Sequence, residues 1–351
     1  MCLTPVTIRR TLGAQSYLNQ VPCNHCLECV KDKQNEYIIR TIEEQRKKGT
    51  MVFFTLTYNP DALPMTEDFE LDEETGEILK DEEVQTLRRA DVTLWLRLFR
   101  QKYKRQGIKL DFSHLICGEY GCKTLRPHYH GIILGLTQEQ VNDLMWSWKT
   151  KYGYVCFKFV PSLMADIEKV ARYTAKYTVK NEEWNILPND KCEKPRKMTS
   201  QFYGMPNEKR WKGMVDYYLA KDVCEYDMDN PKFKDKQQYY KVVDEIIRRR
   251  KYRNGNGNEW KLPNYYRRKI FYVKDGDKVR ASQIQRMVTF NVQRNFDKNL
   301  KEELHNLATI YNFRTYDEAF SKYQMVHDDD KFYRAKRYAE SDKKYMVKSV
   351  Y

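Results

Sequence analysis

The sequence lacks a long apolar segment, since no run approaches the ~20 residues that a membrane-spanning helix needs. Its first ten residues, MCLTPVTIRR, also lack the extended apolar core of a secretory signal peptide. No internal repeat is visible along the 351 residues. These absences argue against a membrane span and lead us to expect the chain in a cytosol.

The charge balance and the aromatic content both favour a nucleic-acid partner. Lys and Arg number 63 against 49 Asp and Glu, a surplus of 14, and the chain contains 27 tyrosines. Cations contact phosphates and flat rings stack on bases, which are the two needs of single-strand binding. A charged surface around a tyrosine-rich core would give the same totals, so composition leaves both interpretations open.

The cysteines indicate a metal site near the N-terminus. Nine cysteines include a C-x2-C-x2-C run formed by Cys23, Cys26 and Cys29. In a reducing compartment, clustered thiols more often hold a metal than pair as disulfides. These three thiolates, with Cys2 as the fourth, would complete a structural zinc site. Because the usual zinc signature has two separated C-x2-C pairs, reduced thiols and an iron–sulfur cluster stay open as alternatives.

Hydrophobic periodicity over residues 51–160 alternates between strand and helix. The predicted order is strand 51–58, helix 90–105, strand 113–121, strand 127–135, helix 137–153 and strand 154–160. This β-α-β-β-α-β order is that of the ferredoxin-like split arrangement, in which both helices cover one face of an antiparallel sheet and the other face is left for a site. We therefore predict an α+β fold. Ten carboxylates in residues 66–83 predict a solvated hairpin or flap in the first connection.

Two histidines on the strand PHYHGIILG are the first candidate site residues. His128 and His130 stand two apart, so their side chains point to the same face and both imidazoles can reach one metal ion. Glu119, near the end of the preceding strand, would join them across a hairpin. Two imidazoles and one carboxylate leave open positions on a divalent ion, as a catalytic metal requires. The spacing also fits a pair of histidines without a ligand role.

A further helix is predicted over residues 162–180. The side expected to pack on the sheet is formed by Leu163, Ile167, Val170, Ala171, Thr174 and Thr178. Tyr173 and Tyr177, four apart, fall together on the flank, accompanied by Lys169, Lys176 and Lys180. A tyrosine has an ordinary pKa of about 10, so a nucleophilic role needs nearby positive charge. Lysines and a divalent metal would supply that charge, and half-buried packing is the alternative role of the pair.

The motifs FFTLTY, GEYG with RPHYHG, and YTAKY resemble, in this order, the three motifs of the HUH endonucleases, specifically the two-tyrosine rolling-circle replication initiators. The MCLTP start, VPCNHCLECV and LPNYYRRKIF (262–271) are similar to replication initiators of small single-stranded DNA bacteriophages of the gokushovirus branch of the microviruses. The resemblance covers residue 1 to about 180, with a patch near residue 265.

The resemblance implies an enzyme that nicks the viral origin in supercoiled replicative-form DNA. Tyr173 or Tyr177 would attack the scissile phosphodiester and become joined to the 5′ phosphate, and the second tyrosine would later close the displaced single-stranded circle. The resemblance assigns Mg²⁺ or Mn²⁺ to His128, His130 and Glu119. It also implies a host helicase and a DNA polymerase as partners, in the cytoplasm of a bacterial host.

Cationic residues complete the candidate site. Lys176 and Lys180 are candidates for stabilising the phosphate or the phenolate. Candidate DNA contacts are Arg126, Lys169, Arg248, Arg249, Arg250, Arg267 and Arg268. A solvated helix face would explain much of the charge beyond residue 190 nearly as well.

Three regions are predicted from these patterns: a Cys-rich N-terminal segment plus a helix (1–50), an endonuclease core (51–185), and a basic, aromatic-rich, mostly helical C-terminal region (186–351). Two other functions stay open. A non-catalytic single-strand binding or packaging protein would explain the composition and the cysteines, but it would have no use for the H-x-H pair, Glu119 and paired tyrosines in this order. A relaxase or transposase of the same superfamily would share the chemistry and differ in substrate.

Overall fold

The computed structural model describes residues 6–12, 15–24, 26–72, 74–75, 77–121, 123–179, 191–253, 257, 259–315, 318–319, 321–323 and 325–326. The chain forms two units. Residues Lys33–Trp211 make one unit, here called the core unit, and Met1–Asp32 with Lys212–Tyr351 make the other, here called the terminal unit. Two of the predicted site residues, Cys2 and Lys180, lie outside the described residues.

The strands of the described residues, in chain order, are β1 (Val6–Leu12), β2 (Gln15–Val21), β3 (Met51–Tyr58), β4 (Met65–Leu71), β5 (Ile78–Gln85), β6 (Ser113–Tyr120), β7 (Pro127–Leu134), β8 (Gly153–Phe159), β9 (Lys197–Thr199), β10 (Lys251–Arg253), β11 (Glu259–Lys261), β12 (Tyr272–Asp275) and β13 (Lys278–Ala281). The helices are α1 (Leu27–Lys48), α2 (Arg89–Arg105), α3 (Gln138–Lys151), α4 (Met164–Val179), α5 (Glu208–Tyr218), α6 (Lys236–Arg248), α7 (Asn264–Phe271) and α8 (Gln283–Tyr311).

An antiparallel sheet of five strands lies at the centre of the core unit. Its strand order is β8-β3-β7-β6-β9, and every neighbouring pair is antiparallel. The elements β3, α2, β6, β7, α3 and β8 follow one another along the chain, and the acidic segment forms the β4–β5 hairpin inserted after β3. The predicted α+β class is therefore confirmed, as is the predicted hairpin.

Helices α2 and α3 pack on one face of this sheet. The α2 residues Val92, Trp95, Leu96 and Phe99 recur at helical spacing and are all buried. The Trp95 ring meets Phe54 of β3 edge-on at 6.0 Å, and its indole N–H donates to a carbonyl of α3 at 3.0 Å. Burial of these large side chains fixes which face of β3 points inward, and so leaves the alternate residues for the opposite face.

A glycine on β7 makes room for this packing. A Cβ atom at Gly131 would lie 2.3 Å from the Cζ atom of Phe54, closer than real Cβ contacts allow. Any side chain at this position would push the Phe54 ring out of the core. Gly131 directly follows His130, so this contact fixes the strand beside the histidine pair.

Helix α4 lies against β6 and β7. Ile167, Ala171, Thr174 and Thr178 are buried, in agreement with the predicted packing face. The assignment of Leu163 to that face is wrong: the helix begins at Met164, and Leu163, which precedes it, is 69% exposed. Residues before the first turn do not follow the helical periodicity that the prediction used.

The terminal unit combines short hairpins with helices. The pairs β1–β2, β10–β11 and β12–β13 are antiparallel hairpins. Buried side chains of α6, α7 and α8 provide apolar packing, among them Val242, Ile246, Ile270, Phe271 and Val288. Among the described helices, none combines the length and the apolar content that a membrane span needs.

Candidate metal and tyrosine site

The register of the core sheet gathers the predicted ligands on one face. Glu119 of β6 stands opposite His128 of β7, and His130 stands between Cys117 of β6 and Thr55 of β3. Opposed residues of an antiparallel pair point to the same face, so these side chains share the face that α2 and α3 do not cover. The hairpin of β6 and β7 thus supplies the carboxylate and both imidazoles.

The three predicted ligands converge on a single point. The Nε2 atoms of His128 and His130 lie 3.3 Å and 3.1 Å from the same Oε2 atom of Glu119. The two rings are perpendicular, with centroids 4.8 Å apart, and one ligand atom from each residue falls within 4.8 Å of the others. Two nitrogens and a carboxylate oxygen in this arrangement can hold a divalent cation and leave further coordination positions open.

Hydrogen bonds on the far side of each ring orient the ligand nitrogens. The His128 Nδ1 atom lies 3.0 Å from the Arg126 carbonyl oxygen, which can only accept, so Nδ1 carries the proton and Nε2 keeps its lone pair. The His130 Nδ1 atom lies 3.1 Å from the Thr55 hydroxyl. Such outer partners fix the tautomer and the ring orientation of metal-binding histidines.

The tyrosine pair of α4 lies beside the imidazoles. The Tyr177 ring stacks on His130 with centroids 4.2 Å apart, and the Tyr173 ring meets His130 edge-on at 6.3 Å. The Tyr177 hydroxyl donates to the Tyr173 hydroxyl oxygen at 2.7 Å. Tyr173 is 38% exposed, so its hydroxyl is the more accessible of the two. The buried side of α4 faces the sheet and thereby turns this flank toward the ligands.

Burial and charge keep Tyr177 protonated. Its pKa is raised well above the ordinary value, first by burial, then by its hydrogen bond to Tyr173 and by the negative charge of Glu119. Cys117, opposite His130 in the sheet, is fully buried, and burial raises the pKa of its thiol to about 12. Cys117 therefore provides a neutral neighbour to His130 rather than a reactive thiolate.

The predicted cations have different positions. Lys169 is exposed on α4, and Lys176 is half-buried one turn before the end of that helix. The Arg126 guanidinium donates to the Tyr58 carbonyl oxygen at 2.7 Å and so fastens the connection between β6 and β7 to β3. Lys180, named above as outside the described residues, has no position to report.

The sequence analysis missed Thr55, the hydroxyl partner of His130. The alternation of apolar and polar residues in MVFFTLTY indicates that Thr55 and Thr57 share a face. That signal could not identify a partner, because Thr55 and His130 are 75 residues apart and meet only through the β3–β7 register.

The N-terminal cysteines come together in the terminal unit. Ligand atoms of Cys23, Cys26 and Cys29 all lie within 4.8 Å of one another. The Sγ atoms of Cys23 and Cys29 are 4.0 Å apart, and the Cys26 backbone N–H donates to the Cys23 Sγ atom at 3.2 Å. Tetrahedral zinc with Zn–S bonds of about 2.3 Å places its sulfurs about 3.8 Å apart, so the three thiols fit such a site.

The predicted arginines of the terminal unit divide into paired and unpaired residues. Arg249 is buried and donates to Asp222 at 2.6 and 2.8 Å and to Glu245 at 2.7 Å. Arg248 donates to Glu245 at 2.8 Å. Arg250 is half-buried and donates to Gln285 at 2.8 Å, while burial and the charge of Arg267 lower its pKa to about 10. Arg267 is half-buried, and Arg268, one residue on, is exposed.

Comparison with known proteins places this site inside a recognised region. Residues 51–182 match a family model of the replication-associated protein ORF2. The replication-associated protein VP4 of Bdellovibrio phage phiMH2K is 26% identical over 176 residues, covering 44% of this chain and 48% of that protein. The replication-associated protein ORF2 of Spiroplasma virus 4 is 25% identical over 178 residues, covering 46% of this chain and 48% of that protein. The matched segment thus spans about half the length of each relative.

A solved structure is also similar over part of its length. The N-terminal nuclease domain of minute virus of mice non-structural protein 1 is 14% identical and aligns over 53% of this chain and 83% of that chain. Its TM-score of 0.18 is too low to bear on the fold. From the family match and the two phage relatives, the recognition predicted from the motifs is confirmed at family level: residues 51–182 carry the region typical of the replication-associated protein ORF2 family.

Proposed function

We propose that this protein initiates rolling-circle DNA replication by nicking a phage origin and closing the displaced strand. The observation that carries the proposal is the juxtaposition of the tyrosine pair with the ligand triad, since the Tyr177 ring stacks at 4.2 Å on His130 while Nε2 of His130 lies 3.1 Å from Glu119. All of these residues fall within the region that matches the replication-associated family. The setting we propose is the cytoplasm of a bacterial host, with a host helicase and DNA polymerase as partners.

In the proposed first step, a tyrosine hydroxyl oxygen of α4 bonds to the phosphorus of the scissile phosphodiester. The bond from phosphorus to the 3′ oxygen breaks, the phenolic proton passes to solvent, and the departing 3′ oxygen takes up a proton and becomes a primer end. The 5′ phosphate stays joined to the protein as a phosphotyrosine. Because this bond conserves the energy of the phosphodiester, the later strand closure needs no nucleotide hydrolysis.

The ligand triad fits the metal that such a step requires. Glu119, His128 and His130 would hold Mg²⁺ or Mn²⁺, which when bound would polarise the phosphate as a Lewis acid. The Arg126 carbonyl and the Thr55 hydroxyl hold the rings with their Nε2 atoms toward Glu119, so the donor set is oriented by the chain itself. A preorganised donor set costs little reorganisation when the phosphate arrives.

The two tyrosines support a division of labour. Tyr173 is the more exposed, and its oxygen accepts a hydrogen bond from Tyr177. A donated hydrogen bond stabilises a phenolate, so we assign Tyr173 to the first cleavage and Tyr177 to the second. Lys176, and Lys180 beyond the described residues, are proposed to stabilise the phosphate or the phenolate, and Lys169 and Arg126 to contact the DNA backbone.

We propose that the core strands form the ferredoxin-like split arrangement of the HUH endonucleases. This assignment is supported by the order β8-β3-β7-β6 in the sheet, with α2 and α3 on the face opposite the ligands. Residues 51–185 would then carry the chemistry, while 1–50 and 186–351 would serve as the Cys-rich segment and a DNA-holding region. Arg248, Arg250, Arg267 and Arg268 remain candidate DNA contacts there, whereas the two carboxylates on Arg249 favour a structural role.

We also propose that Cys23, Cys26 and Cys29 hold a structural zinc ion, with Cys2 as the fourth ligand. The sulfur spacing supports this, and Cys29 in the first turn of α1 lies where the helix N-terminus favours a thiolate. Metal analysis of the purified protein tests it: about one zinc per chain is expected, with loss of that zinc in Cys26→Ser. A chain that purifies without zinc or iron and folds normally would favour reduced thiols.

A non-catalytic single-strand binding protein and a relaxase or transposase are the alternatives. The former is disfavoured by the convergence of three ligands and two tyrosines, because binding alone uses cations and rings without a metal site. The latter shares the chemistry, and only the DNA that is cut separates it from a replication initiator.

The test is incubation of the purified protein with supercoiled circular DNA that carries the phage origin, in Mn²⁺ or in EDTA. We expect a nicked circle with protein attached at the 5′ end in Mn²⁺ only, and no adduct from the Tyr173→Phe, Tyr177→Phe double variant. Tyr154→Phe is the matched control, because Tyr154 is 62% exposed and stands opposite Thr57 on the same face of the sheet. Binding without any nick would support the non-catalytic alternative, and an adduct in the double variant would refute the nucleophile assignment.

A further inference from the structure

A cation-lined cavity opens in the core unit, outside the metal and tyrosine site. Its volume is about 790 Å³, and it lies between the first turns of α2 and the segment that leads into β9. Four cationic residues line it, two on each wall: Arg89 and Arg97, and Lys194 and Arg196. All four are exposed, so their charged ends are accessible to a ligand. We call this the α2 groove.

The charge of the α2 groove is not neutralised from within. None of the four cations has a carboxylate of the described residues within 4.0 Å. Two carboxylates do line the groove, but both are engaged elsewhere: Asp91 accepts from the Tyr58 hydroxyl at 3.1 Å, and Glu193 accepts from the Arg89 backbone N–H at 3.0 Å. A concave surface with uncompensated charge of one sign concentrates the electrostatic field and attracts anions.

The walls of the α2 groove are fastened to each other and to the sheet. Besides its bond from Arg89, Glu193 donates its backbone N–H to the Thr86 hydroxyl oxygen at 2.8 Å, and its carbonyl accepts from the Tyr120 hydroxyl at 2.8 Å. Tyr120 is itself buried at the end of β6. The spacing between the two cationic walls is therefore set before a ligand binds, which lowers the entropy cost of binding.

The composition of the lining selects among nucleic acids. No aromatic ring is present among the described residues that line the groove, whereas single-strand binding depends on rings that stack on bases. Duplex DNA carries one charge per about 1.7 Å of its axis, twice the density of a single strand, and is held through its phosphates alone. A lining of cations without rings therefore suits a duplex.

The position of the groove also suits a duplex. Helix α2 packs on the sheet face that carries Phe54, with Trp95 at 6.0 Å from that ring, while the ligand triad lies on the face that carries Thr55. A strand that is cut at the triad must be single-stranded there, and the unmelted DNA beside it has to be held elsewhere. The groove on the far face offers such a place.

We propose that the α2 groove binds the backbone phosphates of duplex DNA that flanks the nicking site. The choice of flanking DNA rests on the proposed function, whereas binding of duplex phosphates by the groove does not. The contact is independent of base sequence, since cations that meet phosphates carry no sequence information.

The experiment measures binding of the full chain to fluorescent duplex and single-stranded oligonucleotides of equal length, in EDTA and over a range of salt concentrations. The variants are Arg97→Gln, Arg196→Gln and their double, which remove one cation from each wall. Arg105→Gln is the matched control, because Arg105 is an exposed arginine of the same helix outside the groove. Thermal unfolding of each variant is measured in parallel.

For duplex DNA, we expect each substitution to lower the slope of log affinity against log salt by about one, and the double variant by about two, relative to Arg105→Gln. Single-strand affinity should change no more than in the control, and the unfolding midpoints should be unchanged because no ion pair is lost. A duplex slope in the double variant equal to that of Arg105→Gln would overturn the proposal, and so would a loss confined to single strands. Because EDTA prevents metal-dependent cleavage, failure of the nicking assay leaves this result unaffected.

Discussion

Replacement of Thr55 by valine tests whether His130 is a metal ligand held from behind. Valine keeps the shape and strand preference of threonine but removes the hydroxyl that lies 3.1 Å from His130 Nδ1. For Nε2 to offer its lone pair to a metal, Nδ1 must carry the proton and donate it to this oxygen. Loss of such an outer partner lowers metal affinity by about 10- to 100-fold, or about 1.4 to 2.8 kcal/mol.

The assay is calorimetric titration of the apoprotein with Mn²⁺, followed by nicking at increasing Mn²⁺ concentrations. We expect weaker binding in Thr55→Val and recovery of nicking at high metal. Thr57→Val is the matched control: Thr57 stands on the same strand and face, opposite His128, whose Nδ1 is held by a backbone carbonyl instead. Equal affinities in wild type and Thr55→Val, or an equal loss in Thr57→Val, would refute the reasoning.

Three further predictions concern the nucleophile, the core and pH. Tyr173→Phe should slow single-turnover cleavage of an oligonucleotide by about 10³-fold or more, and Tyr177→Phe by less, because the Tyr173 hydroxyl is the accessible one. Gly131→Ala should cost about 1 to 3 kcal/mol in urea unfolding, because the added methyl would meet Phe54 at 2.3 Å. Burial, with the charge of a nearby arginine, lowers the His114 pKa from 6.5 to about 4, so stability should fall by about 2 kcal/mol between pH 7 and pH 5 through this residue.

The sign of the pH effect follows from the protonation of His114. The unfolded chain binds a proton near pH 6.5 and the folded chain only near pH 4, so this contribution is complete above pH 6.5 and is lost as pH falls toward 4. His114→Gln should remove that part of the pH dependence, and an unchanged dependence would contradict the assignment. For the core, Gly213→Ala is the control, since no atom lies within 4 Å of its added Cβ, and a loss as large as in Gly131→Ala would contradict the packing argument. For the tyrosines, a greater loss in Tyr177→Phe would reverse the proposed order.

Local patterns predicted most of the elements that position the site. The strand predicted at 51–58 is β3, Met51–Tyr58, because alternating burial leaves a period of two in the sequence. The helix predicted at 90–105 is α2, Arg89–Arg105, whose buried stripe has helical spacing. The meeting of Glu119 with the histidines was also predictable, since a hairpin joins them within a few residues.

Features that depend on distant partners could not be read from the sequence. Thr55 reaches His130 only through the strand register, and Arg249 is paired by Asp222, 27 residues away in the chain. The strand β9 has three residues, too few to show a period, yet it pairs with β6 and brings Arg196 beside α2. The charge run at 248–251 indicated DNA contacts, but it could not show which guanidinium is engaged by carboxylates.

The most direct test of the central claim is to find the atom that bonds to DNA. After reaction with origin DNA in Mn²⁺, nuclease and protease digestion followed by mass spectrometry should yield a peptide from α4 that carries a nucleotide on Tyr173 or Tyr177. The account predicts this adduct, and predicts its absence in Glu119→Gln. An adduct on a tyrosine elsewhere in the chain, or nicked DNA with no attached peptide, would contradict the account.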